Sequence, residues 1–128
     1  SPGGYVTDGF AIHDTMKSIK SPVATICTGL AASMGSILLS AGEKGRRYIQ
    51  PLAKVMIHQP LGGAQGQASN IEIQAKEILK IKQISAQILA DNCHQDYEKV
   101  MKDFSRDFWL NAEESVEYGI VDDHFKNM

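Results

Sequence analysis

Apolar and polar positions fall in blocks along this chain, and the blocks mark out its elements. The sharpest is Val23–Gly42, which holds no charged residue across twenty positions. Its opening, Val23–Thr28, is β-branched and apolar, the composition of a buried strand. Gly29 then turns the chain, and Ala31–Ser40 reads as a buried helix stopped by Gly42. Ahead of this block, Ile12, Met16 and Ile19 recur at i, i+4 and i+7. They predict an amphipathic helix capped by Thr7 or Asp8 and running to about Lys20, where Ser21-Pro22 breaks it. His13 falls one position off that stripe and reads as a surface residue.

Beyond the block, Glu43-Lys44-Gly45-Arg46-Arg47 reads as a solvated charged turn, and Tyr48-Ile49 as a brief pairing segment before Pro51. Lys54–His58 predicts a strand with His58 at its C-terminal end, where α/β sheets gather ligand-binding groups. The Gly- and Gln-rich run Gln59–Ala68 is too polar for core. Extended backbone there would offer spare N–H and C=O groups to a peptide or a second subunit. Ser69-Asn70-Ile71-Glu72 matches a capping box and opens a helix to about Asp91, roughly 33 Å long. Its apolar stripe is Ile71, Ile78, Ile81, Ile84 and Ile88, longer than a small domain can cover, which predicts burial against another subunit. After a joint at Asn92–Gln95, a shorter helix places Tyr97, Val100, Met101 and Phe104 on one face. Ser105–Leu110 reads as extended. Asp107 within it reads as partly buried and in need of a partner, either Arg106 or His58. Asn111-Ala112-Glu113-Glu114 repeats the capping-box logic for a helix closing at Gly119, and Ile120-Val121 reads as a last strand. Helices and strands so interleaved predict a single α/β domain.

Composition narrows the function classes. The charge-free block is long enough to cross a bilayer, but it is built of Gly, Ala, Ser and Thr, with Leu38-Leu39 its only strongly apolar pair, so it reads as soluble core. Hydrophobic content of 43% and charged content of 22% are ordinary for a globular protein. A net charge of −2 gives no electrostatic case for nucleic acid or an anionic membrane. Cys27 and Cys93 have neither disulfide nor metal-ligand spacing, so no metal is expected. A reducing compartment fits them, either the cytoplasm or the matrix or stroma of an organelle. The opening turn cluster Ser1-Pro2-Gly3-Gly4 predicts that a further segment precedes it in the full protein.

Candidate chemistry centres on Ser33, where strand hands over to helix among Ala, Met and Gly. Free N–H groups at a helix start suit developing negative charge. Equally, a serine among small residues can simply let a helix pack closely. Ser33, His58 and Asp107 each stand at an element end. They supply a nucleophile, a base and a carboxylate to orient the base, the logic of acyl transfer. Spacing alone leaves open whether they meet.

Several runs go further: Ser1-Pro2-Gly3-Gly4, Gly29-Leu30-Ala31-Ala32-Ser33-Met34-Gly35, Met56-Ile57-His58-Gln59-Pro60-Leu61-Gly62-Gly63, Gln65-Gly66-Gln67-Ala68, Ile71-Glu72-Ile73, Glu77-Ile78-Leu79, Arg106-Asp107 and Glu117-Tyr118-Gly119. In this order and over nearly the whole chain, they resemble the Clp-type serine peptidases, the proteolytic subunits of Clp proteases. The resemblance implies a ClpP/crotonase-like fold of repeated β-β-α units with a protruding handle helix within residues 59–91. It implies Ser33 as nucleophile, His58 as general base and Asp107 as its orienter, with the oxyanion held by the N–H groups of Gly4 and Met34. Tyr5, Val6, Pro60, Leu61 and Gly62 would bind the extended substrate. Implied partners are unfolded polypeptide substrates, further copies in stacked heptameric rings (a tetradecamer), and an AAA+ unfoldase of the Clp family. That unfoldase uses the ATP, so no cofactor is implied for this chain. Three departures stand out. The family's N-terminal portion, with its axial loops, first helix and early strands, is not in this chain. Ser105 replaces the family's usual acidic residue beside the Arg-Asp pair, and His94 stands where glycine is common. Two other readings are a crotonase-like acyl-CoA enzyme, which shares a two-N–H oxyanion site, and a non-catalytic ring subunit. Loss of Ser33 or His58 would mark the latter, and both are present.

Overall fold

The computed structural model describes residues 1–59 and 67–126. Expectations placed on Pro60, Leu61 and Gly62 therefore lie outside the described residues. Eleven elements follow in order among those described: α1 (Val6–Ser18), β1 (Thr25–Cys27), β2 (Leu30–Ala32), α2 (Met34–Ser40), β3 (Arg47–Ile49), β4 (Lys54–Ile57), α3 (Ala68–Cys93), α4 (Tyr97–Asp103), β5 (Phe108–Leu110), α5 (Ala112–Tyr118) and β6 (Asp123–His124). The chain thus repeats a β-β-α unit, β1-β2-α2 and β3-β4-α3. The first strands of the two units pair with each other, as do the second strands. The result is two three-stranded sheets, β1-β3-β6, all parallel, and β2-β4-β5, in which β5 runs antiparallel to β4.

The charge-free block divides differently from its pattern. Leu30–Ala32 forms a second strand instead of opening the helix, which is confined to Met34–Ser40. Alanine favours helix by propensity, but pairing with Lys54–Met56 outweighs that preference here. Gly42 does not serve as a left-handed cap, because the helix ends on Ala41 with ordinary right-handed geometry. Gly42 instead allows close approach, since a Cβ there would sit 2.5 Å from Thr25 Oγ1.

In α1 the inward face is not the predicted one. Gly9 is buried against Met34, Val6 and Phe10 pack on the core, and Ile12 and Ile19 are exposed. His13, half-buried, lies on the same face, as i+7 from Val6 requires. The helix starts at Val6 on Tyr5, with no side-chain cap. Two stripes were available, and the glycine decided between them by letting α1 lie close to α2.

Helix α3 runs for 26 residues, about 39 Å. It starts on Gln67 with no side-chain cap, so the expected capping box at Ser69 does not set its start. Its packed face is Ser85, Ala86, Leu89, Ala90 and Cys93, all in the C-terminal half. The predicted isoleucine stripe is left half-buried at Ile78, Ile81 and Ile88 and exposed at Ile71 and Ile84. His94 ends the helix in the left-handed conformation, φ 54°. The Asn111–Glu114 capping box forms in both directions, and Gly119 closes α5. Ile120 and Val121 are buried but irregular. The last strand is Asp123–His124, paired with Tyr48–Ile49.

The charged turn also needed correction. Arg47 is only 3% exposed and forms an ion pair at 2.7 Å with Asp122. No local pattern reveals this, because the two residues are 75 positions apart.

Candidate active site

Strand register brings the three candidate residues to one place. In the mixed sheet Ala32 aligns with Met56 in parallel, and Ile57 aligns with Phe108 in antiparallel fashion. The next residue on β2 is Ser33, the next on β4 is His58, and the residue before β5 is Asp107. All three element ends therefore fall at the same edge of one sheet. The Ser33 N–H donates to Met56 O at 2.9 Å, fixing the serine's backbone to the strand that carries the histidine. Beyond His58, the Gln59 N–H donates to Phe104 O, tying that strand end to the turn after α4.

The side chains meet. Ser33 Oγ lies 2.9 Å from His58 Nε2, and His58 Nδ1 lies 3.4 Å from Asp107 Oδ1. The His58 side chain is 13% exposed and the Asp107 side chain 63%. Asp107 is thus more open than its sequence surroundings predicted. Of its two expected partners it meets His58, while Arg106 is exposed. Ser33 itself has φ 56° and ψ −122°, outside the conformations that non-glycine residues favour. Such strain persists only where the surroundings enforce it, and it turns the hydroxyl out at a sharp strand-to-helix corner.

Glycine at the N-terminal turn meets this corner. Gly3, at φ 96°, lies so close that a Cβ would come 2.7 Å from Ser33 Cβ and 3.2 Å from its Oγ. The resemblance names the Gly4 N–H for the oxyanion, and Gly3, the residue before it, is the one packed against Ser33. Gly4, Tyr5 and Met34 line one hollow of about 260 Å³. Met34 opens α2, so its N–H has no acceptor within the helix. Val6 joins Ser33, Met34, Ile37, His58 and Ser85 around a second, much smaller cavity. Ile37 and Ser85 carried no functional signal in the sequence, since each reads as ordinary helix interior.

Among the described residues no group of three or more His, Cys, Asp or Glu side chains could hold a metal ion, and no helix is long and apolar enough to cross a membrane. Burial pushes the Cys93 thiol up to about 12 and the Cys27 thiol above its ordinary value. Neither supplies a thiolate nucleophile near neutral pH. A protein-family model described as Clp protease matches residues 1–127 of the 128, in keeping with the repeated β-β-α units and the serine corner. The chain belongs to the Clp protease family, and its role is that of a peptidase.

Proposed function

We propose that the chain is a serine endopeptidase subunit, with Ser33 as nucleophile, His58 as general base and Asp107 as the residue that orients the base. The observation that carries this reading is the 2.9 Å contact between Ser33 Oγ and His58 Nε2 at a strained corner. His58 Nε2 takes the proton as Ser33 Oγ attacks the scissile carbonyl, then passes it to the leaving amine, so an acyl-enzyme ester replaces the peptide bond. Water repeats the sequence and frees Ser33. Asp107 accepts from His58 Nδ1–H, which keeps Nε2 free to take the proton. Its 3.4 Å contact is of the kind that tightens once substrate is bound. The N–H groups of Gly4 and Met34 hold the oxyanion. Removing one such donor costs about 2.7–4 kcal/mol of transition-state stabilisation. Tyr5 and Val6, and with them Pro60, Leu61 and Gly62, bind the extended substrate.

Within the same proposal, substrates are unfolded polypeptides delivered by an ATP-dependent AAA+ unfoldase. The working form is stacked heptameric rings joined through α3, in the cytoplasm or the matrix or stroma of an organelle. The exposed Ile71, Ile73, Leu79 and Ile84 support an interface on α3, and family membership supports ring assembly. Fluorophosphonate labelling tests the chemistry. We expect one labelled serine, lost in Ser33→Ala together with peptide hydrolysis. Labelling or hydrolysis that survives this substitution refutes the assignment.

A further inference from the structure

Little of its own holds Asp107 at the site. Among the described residues the one polar partner of its side chain is His58, and the carboxylate is mostly exposed. What places it must therefore act through the chain on either side. On the far side Phe108 is fixed by pairing with Ile57 in the mixed sheet. On the near side lies the turn Phe104-Ser105-Arg106, preceded by Asp103, the last residue of α4. Asp103 accepts from the Tyr118 hydroxyl at 2.7 Å. Tyr118 is buried, and its ring packs on that of Phe108 with centroids 5.7 Å apart. One side chain thus grips the chain both before and after Asp107. Asp103 also meets Lys99 Nζ at 3.1 Å, but Lys99 is half exposed, and such a pair is weak in water.

Tyr118 is itself firmly seated. Gly119, left-handed at φ 97°, brings this end of α5 so close to the end of α3 that a Cβ there would lie 2.5 Å from Cys93 O. Gln95 Nε2 donates to Tyr118 O at 2.9 Å. Burial and the Asp103 carboxylate push the Tyr118 hydroxyl above its ordinary value, so it keeps its proton and donates. We propose that Tyr118 is a positioning residue for the triad carboxylate: its hydroxyl fixes Asp103, its ring backs Phe108, and together they set where Asp107 stands against His58 Nδ1. The inference rests on the peptidase reading above and extends it to a residue outside the triad. The Gln59 N–H bond to Phe104 O ties the histidine's strand end to the same turn. A turn that loosens at Asp103 therefore disturbs both members of the His58–Asp107 pair. That pair, at 3.4 Å, has little distance to spare.

The test compares kcat and KM for one fluorogenic peptide in the wild type, Tyr118→Phe, Asp107→Ala and the double variant. Phenylalanine keeps the ring against Phe108 and removes only the hydroxyl. We expect kcat to fall about tenfold in Tyr118→Phe with KM unchanged within about twofold, less than the roughly 100-fold that an ångström of misplacement can cost. In the Asp107→Ala background the same substitution should alter kcat by less than about twofold, because the group it positions is gone. A purely structural role lowers kcat equally in both backgrounds, and that result overturns the proposal, as does an unchanged kcat in Tyr118→Phe. Asp103→Ala removes the acceptor instead of the donor and should show the same loss with the same dependence on Asp107. It decides the matter if Tyr118→Phe does not fold, and a loss that ignores Asp107 there overturns the proposal too. Hydrolysis that Ser33→Ala abolishes but Tyr118→Phe leaves intact refutes the role of Tyr118 alone. Absence of Ser33-dependent hydrolysis in the wild type refutes the peptidase reading, and this inference with it.

Discussion

Asp122 and Asp107 each face a basic side chain, yet they stand at opposite extremes of constraint. Asp122 accepts four N–H bonds: from Gly45 N, Arg47 N and Arg47 Nε on one oxygen, and from Arg47 Nη2 on the other. Its side chain is 23% exposed. The Arg47 guanidinium and these donors hold its carboxyl below the usual carboxylate range, although burial opposes them. Arg47 in turn donates to Ser40 O and Asn92 O, so the cluster joins β3 to the ends of α2 and α3. Among the described residues Asp107 has one ion-pair contact, at 3.4 Å, and it is mostly open to solvent. A carboxylate tied on every side serves the fold. One tied on a single side, to a histidine that touches a strained serine, is free to serve chemistry.

Asp107→Asn probes the loose end of this comparison and should give the largest effect. The amide favours the wrong imidazole tautomer, and the loss expected for a displaced triad carboxylate is about 10⁴-fold in kcat. Stability to urea should change by less than about 0.5 kcal/mol, because the side chain is exposed and lightly bonded. A variant that fails to fold would make Asp107 structural and erase the contrast.

The converse substitution, Asp122→Ala, strands the Arg47 guanidinium with only two carbonyl acceptors. Removing one member of a buried pair costs about 3–5 kcal/mol, and the partial exposure of Asp122 puts this case near about 3 kcal/mol. Urea unfolding measures it. A loss below about 1 kcal/mol would show that the cluster is no staple.

The smallest effect lies in acid. Because the Asp122 carboxyl is held lower in the folded protein than in the unfolded chain, its stabilisation is complete above the unfolded value of about 3.9. It is lost as pH falls through the lower folded value. Wild-type stability should therefore drop more steeply below about pH 4 than that of Asp122→Ala. Parallel curves would mean that Asp122 contributes little through its charge.

Local signals carried well where the physics is local. The Asn111 capping box, the left-handed Gly119, the Val100–Phe104 face and the handover at Ser33 all depend on residues within about one helical turn, and all appear where expected. The α1 face, the strand at Leu30–Ala32 and the packed half of α3 do not. Each depends on what lies opposite: Met34 against Gly9, Met56 beside Ala32, the core beside Leu89.

By itself the sequence determined the α/β class and, through its motifs, the family, and it named Ser33, His58 and Asp107 as candidates. Tertiary structure alone decided that Ser33, His58 and Asp107 share one sheet edge, because register is set by pairing between strand residues 24 positions apart in one case and 51 or more in the other. It also decided which arginine is buried, which glycine packs against the serine and which buried hydroxyl has no partner among the described residues. Those outcomes turn on distances between elements, and no periodicity within an element encodes them.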